Sequence, residues 1–254
     1  MKHLFYFTIS SFFILSCSKT ETLTQGSFRI KSMEYIDRLQ SQFNNTFEFY
    51  YDEYGREKEI IDNFNQQYYS YSYKNNQLQT IEKISTKNNK LKEKREFEYD
   101  NKNKIKTVYV WVLNQDSIYA LNNDIHFTYS NTGRLTETQT YHSNSSFKEI
   151  YTWQNSDIVE IKEYNNNKLW SVTTLKYDNK PNFKTNSAFF DQYYDHLNLN
   201  AHNLIYWEVD NFERDAIIDY YCNPCQYDIF YNGNNLPVQI IQPRHIINIK
   251  YEKI

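Results

Sequence analysis

One local pattern governs what this chain can fold into. A tyrosine or tryptophan ends a run of alternating residues, a polar turn follows, and a new run begins. The clearest copies are Tyr51-Asp52-Glu53-Tyr54-Gly55-Arg56, Tyr99-Asp100-Asn101-Lys102-Asn103-Lys104-Ile105 and Tyr129-Ser130-Asn131-Thr132-Gly133-Arg134-Leu135. Looser copies begin at Tyr73, Trp153 and Tyr177. Recurrence at roughly 20 to 30 residues marks a chain built from one stacked unit, here a strand, a tight turn and a strand. Tyr69-Ser70-Tyr71-Ser72-Tyr73 alternates strictly. Arg95, Phe97 and Tyr99 oppose Glu96 and Glu98, and Phe147, Glu149, Tyr151 and Trp153 share a face. Such alternation predicts antiparallel strands with one face more buried, joined by short turns into a meander. Residues 105–113 are apolar on both faces, which predicts a central or covered strand.

Composition explains how so many turns are made with few of the usual turn residues. There are only 4 Gly and 4 Pro, against 25 Tyr and 17 Phe. Asparagine, which tolerates left-handed backbone, fills the turn positions at Asn75-Asn76, Asn88-Asn89, Asn122-Asn123, Asn165-Asn166-Asn167 and Asn234-Asn235. The aromatic content excludes disorder. The expectation is an all-β fold: one long meander of about a dozen strands, twisted into an open or closed barrel-like sheet. The repeat lapses over about 181–225. Within that insertion Phe189, Phe190, Tyr193, Tyr194 and Leu197 fall at helical spacing, predicting one short capping helix.

The N-terminus predicts an envelope address. Lys2 precedes an apolar stretch over residues 4–15, too short for the about 20 apolar residues that cross a bilayer. It ends in Ile14-Leu15-Ser16-Cys17, which resembles the bacterial lipobox. That resemblance implies a signal peptide over 1–17, a diacylglycerol on Cys17, a flexible tether over 18–26 and one β domain over 27–254, anchored in the inner or the outer membrane, with the outer membrane expected and its periplasmic or surface face left open. Loss of residues 1–17 moves the net charge from −3 only to −4, since Lys2 is the one charged residue removed. With so mild a balance and no basic stripe, no nucleic-acid partner is expected.

Tyr129-Ser130-Asn131-Thr132-Gly133-Arg134-Leu135 resembles the YD repeat, and Tyr51-Asp52-Glu53-Tyr54-Gly55-Arg56 matches its first half. The lipobox, the degenerate hairpins, Tyr177 to Asn182 and the Asn234 to Pro237 turn together resemble a group of uncharacterised Bacteroidota lipoproteins. The resemblance implies a barrel-like or porin-like sheet and transfers no catalytic residue.

Candidate chemistry is sparse. Cys222-Asn223-Pro224-Cys225 admits a disulfide, a redox dithiol or half a zinc site, and the surrounding strand text favours a structural pair. Neither a cofactor nor a metal is expected. Asp210, Glu213, Asp215 and Asp219 form an acidic cluster that in a cleft would suit glycoside hydrolysis. The insertion breaks the repeat, so Phe190, Tyr194, Tyr206 and Trp207 are the candidate binding platform. The functional expectation is a lipid-anchored, non-catalytic binding or scaffold module that meets the membrane through its anchor and a glycan or an envelope protein through its fold. The alternatives are a glycan-active enzyme and an accessory subunit of an outer-membrane transporter.

Overall fold

The computed structural model describes residues 28–113, 119–143, 145–182, 200–211 and 223–254. They form seventeen strands and a single 3-10 turn at Ser41–Phe43. The strands are β1 (Phe28–Asp37), β2 (Asn45–Tyr51), β3 (Glu57–Asp62), β4 (Gln67–Lys74), β5 (Gln77–Ser85) and β6 (Leu91–Tyr99). Then follow β7 (Ile105–Leu113), β8 (Tyr119–Tyr129), β9 (Leu135–His142), β10 (Ser146–Gln154), β11 (Asp157–Asn165) and β12 (Lys168–Pro181). The last are β13 (His202–Asn211), β14 (Cys225–Gln226), β15 (Asp228–Tyr231), β16 (Pro237–Ile241) and β17 (His245–Lys253). The expected capping helix, at 189–197, lies outside the described residues.

Each strand pairs antiparallel with its sequence neighbour from β1 to β14, and β15 continues the pairing through β16 to β17. β17 then pairs with β1 over nine residue pairs, Phe28↔Lys253 to Asp37↔His245. The sheet is thus a nearly closed ring. β14 and β15 are one run interrupted at Tyr227; its first part pairs with β13 and its second with β16. That run is the seam of the barrel.

The number of strands exceeds the expectation because the hairpins at the repeat aromatics contain a register shift that hides one arm. In seven hairpins the shift falls beside the repeat aromatic: Tyr51, Tyr73, Tyr99, Tyr129, Trp153, Tyr177 and Tyr231. The extra residue sits on the strand leaving the turn, as Lys106 does between Ile105 and Thr107. A bulge reverses the alternation locally. Residues three apart therefore both face inward: Leu78 and Ile81, Leu135 and Thr138, Ile158 and Ile161, Pro237 and Ile240, all buried. The β1–β17 pair carries the same shift, at Lys31 between Ile30 and Ser32, with Tyr251 opposite Ile30 and both Ile30 and Met33 buried. The two ends of the sheet thus form an eighth hairpin that lacks a turn.

The inward face is apolar and nearly continuous. One cluster spans β1–β5, β16 and β17 around Met33, Ile60, Tyr71 and Ile249. A second spans β9–β12 around Ile158 and Leu175. A third, Val108, Val110 and Ile125, lies between them, joined to one through Phe97 and to the other through Phe127. The outward face is charged, with Glu48, Glu59, Glu82, Lys94, Glu96, Lys148, Lys162, Lys176 and Lys250 at exposed or half-buried positions. Ion pairs run along it, such as Lys94 with Glu96 at 2.7 Å and Lys162 with Glu160 at 3.3 Å. β7 explains its two apolar faces here: Val108 and Val110 point inward, while Trp111 and Tyr109 lie outward and donate hydrogen bonds to Glu96 and Glu98 of β6. Asn122-Asn123 is not a turn. It lies inside β8, where Asn122 is the extra residue of a bulge and Asn123 is buried. No helix of the described residues is long and apolar enough to cross a membrane.

Candidate functional site

The bulges frame one rim of the ring. A bulge disrupts the ladder at its first residue, leaving a carbonyl to be satisfied otherwise. The aromatic that ends the next hairpin does so. Tyr99 Oη donates to Leu78 O at 2.8 Å, Tyr129 Oη to Ile105 O at 2.9 Å, and Tyr177 Oη to Ile158 O at 2.7 Å. Trp153 Nε1 donates to Leu135 O at 2.7 Å. Tyr51 does the same for Ile30 O at 2.6 Å and Tyr251 for Pro237 O at 3.0 Å. Burial pushes the phenols of Tyr51 and Tyr251 well above the usual range, so both remain protonated donors. At four of the bulges the preceding residue adds a cation: Arg29 lies 4.3 Å from the Tyr51 ring, Arg56 4.3 Å from Tyr73, Lys104 5.0 Å from Tyr129 and Arg134 5.5 Å from Trp153. The turns themselves are capped from their first residue. Asp52 Oδ1 accepts from the N–H groups of Tyr54 and Arg56, and Asp100 Oδ1 from those of Lys102 and Lys104. Positive φ then falls on Gly55, Asn103, Gly133 and Asn235.

The excursion after β12 leaves from this rim through a closed neck. Asn182 N donates to Ala201 O at 2.8 Å, and Asn182 Nδ2 to Asn200 O at 3.1 Å. Asn200 is wholly buried, its Oδ1 accepting from Ile158 N. His202 bonds Asp157 at 2.7 Å. Asp178 accepts from Lys180 N, from Asn203 N and from the Tyr231 hydroxyl, which ties β12 and β13 to β15 across the seam. Burial first, and then Asp178, hold the Tyr231 phenol above its ordinary value. Higher on the seam Trp207 Nε1 donates to Tyr227 Oη at 2.7 Å, which links the second apolar cluster to the first. Asn223 stands in for a strand: its side chain accepts from Val209 N at 2.9 Å and donates to Val209 O at 2.7 Å.

The inward face also carries a polar belt on β9–β12. Glu149 and Glu163 are direct cross-strand partners. Thr138 Oγ1 and Tyr151 Oη each donate to Glu149 at 2.7 Å, and the Ser171 hydroxyl donates to Glu163. Each carboxylate is met by hydroxyl donors, which is how a sheet interior tolerates such groups.

Of the residues singled out from sequence, Cys17, Phe190, Tyr194, Glu213, Asp215, Asp219 and Cys222 lie outside the described residues. Tyr206 and Trp207 are on opposite faces of β13. Tyr206 faces outward, under Lys176 at 4.3 Å and donating to Glu208, whereas Trp207 packs inward. The two rings therefore do not share a surface. Asp210 is exposed. Cys225 is buried and disulfide-bonded. Among the described residues no three His, Cys, Asp or Glu side chains converge as metal ligands. Sequence reasoning marked Tyr177 to Asn182 but missed Asp157 and Asn200, and the pairings of His202 and Tyr231, which depend on partners up to 53 residues apart.

No family model matches this chain, and no curated protein matches it. Among solved structures it is similar to a porin-like protein from Bacteroides vulgatus ATCC 8482, at TM-score 0.46 and 10% identity over 89% of this chain and 99% of that one. A porin-like protein from Bacteroides uniformis ATCC 8492 gives TM-score 0.43 and 10% identity over 88% and 98%. A DUF3836 family protein from Bacteroides vulgatus ATCC 8482 gives TM-score 0.25 and 16% identity over 39% and 97%. At TM-scores this low, none of these likenesses carries functional information.

Proposed function

We propose that this chain is a lipid-anchored cell-envelope protein whose barrel-like sheet is a water-bathed, non-catalytic binding or scaffold module. The observation that carries the reading is the polarity of the two faces. Apart from the belt at Glu149 and Glu163, apolar side chains fill most of the inside, and Glu and Lys alternate with them on the outside. A membrane-spanning barrel has the reverse order, an apolar outer band around a polar interior. Each outward Lys at mid-bilayer would cost about 2–4 kcal/mol. A sheet of this polarity fits attachment through Cys17 better than insertion, and Ile14-Leu15-Ser16-Cys17 supplies the sequence for it. The non-catalytic part of the reading is supported by the placement of Asp210, which is exposed, while Trp207 packs inward.

The test is Cys17→Ser in the full chain. Loss of labelling by a fatty-acid probe, with transfer of the protein from the membrane to the soluble fraction, is the expected result. Unchanged labelling and fractionation would overturn the anchor. A screen of residues 27–254 against glycans and envelope proteins identifies the ligand.

A further inference from the structure

The rim opposite the aromatic one carries an arc with a different chemistry. It runs over residues 38–44, 63–66 and 86–90, three turns stitched together side by side: Phe64 N donates to Asn45 Oδ1 at 3.0 Å, and Thr86 N to Gln66 O at 2.9 Å. Leu39 is 74% exposed, Phe43 45% and Phe64 43%, and the two phenyl rings meet edge to face at 5.9 Å. Arg38, Lys87 and Lys90 stand exposed among them. The three turns contain no acid. Of the acids beside them, half-buried Glu48 accepts from Asn63 Nδ2 and the Tyr50 hydroxyl, while Asp37 and Asp62 are buried and engaged, Asp37 by Arg244 and the N–H groups of Leu39 and Gln40, Asp62 by Asn45, Asn65 and Gln67. The described residues are continuous across this arc, so its lack of an exposed acid is a property of the whole patch; the next loop on the rim, 114–118, lies outside the described residues.

We propose that this arc docks on a bilayer surface rich in anionic lipid. Exposed Phe and Leu at turn tips flanked by Lys and Arg are the composition that settles at the headgroup boundary, with the rings in the acyl margin and the cations on the phosphates. The polar barrel wall behind the arc limits entry to these tips. The contact goes beyond the lipid anchor and is independent of it. Phe28 enters the sheet at the other rim, at the far end of the ten-residue strand β1. A stretch from residue 18 to residue 27 reaches at most about 36 Å, so arc and anchor engage one bilayer only when that stretch is nearly extended. Lipidated protein should therefore draw vesicles together.

The experiment uses residues 18–254, the mature chain that the lipobox implies, without lipid, so that neither lipidation nor the apolar stretch over residues 4–15 has any bearing on it. Sedimentation with vesicles of phosphatidylethanolamine and phosphatidylglycerol should recover the protein, and added salt should release it. Vesicles of phosphatidylcholine should not recover it. Two double variants with unchanged circular dichroism, Phe43→Ser with Phe64→Ser and Lys87→Gln with Lys90→Gln, should each weaken binding about tenfold or more. Absence of the parent from anionic vesicles overturns the proposal and favours an acidic protein partner. Equal binding by parent and variants overturns it as well.

Discussion

At the residue scale, the account rests on hydroxyls that satisfy bulge carbonyls. Tyr99→Phe and Tyr129→Phe should each destabilise the domain by about 1 kcal/mol, the usual net worth of such a bond, in urea unfolding. Tyr54, 73% exposed at a turn tip, serves as the control, and Tyr54→Phe should change nothing. The two turn glycines make a sharper pair. Both have positive φ, so alanine costs about 1–2 kcal/mol at either. At Gly55 a Cβ meets nothing within 4 Å, whereas at Gly133 it would stand 3.0 Å from Lys104 Cε and disturb the ammonium that bonds Gly133 O and covers Tyr129. Gly133→Ala should therefore cost more than Gly55→Ala. Asp37 supplies a pH dependence. Its hydrogen bond with Arg244 holds the carboxyl at about 2, against an ordinary 3.8; burial opposes that effect, and the N–H groups of Leu39 and Gln40 reinforce it. A depressed acid stabilises the fold above its unfolded value and loses that contribution as pH falls through its folded one. Urea midpoints should drop between pH 3.8 and about 2, and the drop should be smaller in Asp37→Asn.

At the element scale, most of the strands were legible and one device was not. Strict alternation placed β4, β6 and β10, and the turn residues placed the hairpin tips, because period two and left-handed asparagine each have a direct physical cause. Among the described residues, eight of the nine positive-φ residues that are not glycine are asparagines. The pairs Leu78 and Ile81, Leu135 and Thr138, and Ile158 and Ile161 were opaque, since a spacing of three within a strand reads as noise until a bulge explains it. The same device made Asn122-Asn123 look like a turn. The neck contacts were beyond reach for another reason: Asp157 with His202, and Asp178 with Tyr231, pair across strands far apart in sequence and follow no local pattern. The seam is the least paired junction, with two residue pairs between β13 and β14. Asn223→Ala should remove the surrogate strand contact, so that the Val209 amide exchanges faster with deuterium while amides of β4 and β5 remain as in the parent. Equal exchange at Val209 would show that the seam is held elsewhere.

At the scale of the whole molecule, the structure is eight copies of one bulged hairpin, the eighth made from β17 and β1 with Tyr251 in the aromatic place. Closure by the same motif predicts that the ends are interchangeable with any turn. A permutant joining Lys253 to Phe28 through an Asn-Asn pair like Asn75-Asn76, and opened within 87–89, should fold with the parent's circular dichroism; a molten or aggregated product would show that β1 and β17 are not equivalent to the other hairpins. The polarity of the ring, apolar within and charged without, is the claim on which the functional reading stands. The most direct measurement is sedimentation of residues 27–254 in buffer free of detergent. The account predicts a monodisperse, β-rich monomer. A protein that stays monomeric only in detergent micelles would contradict it and place the charged face in contact with something other than water.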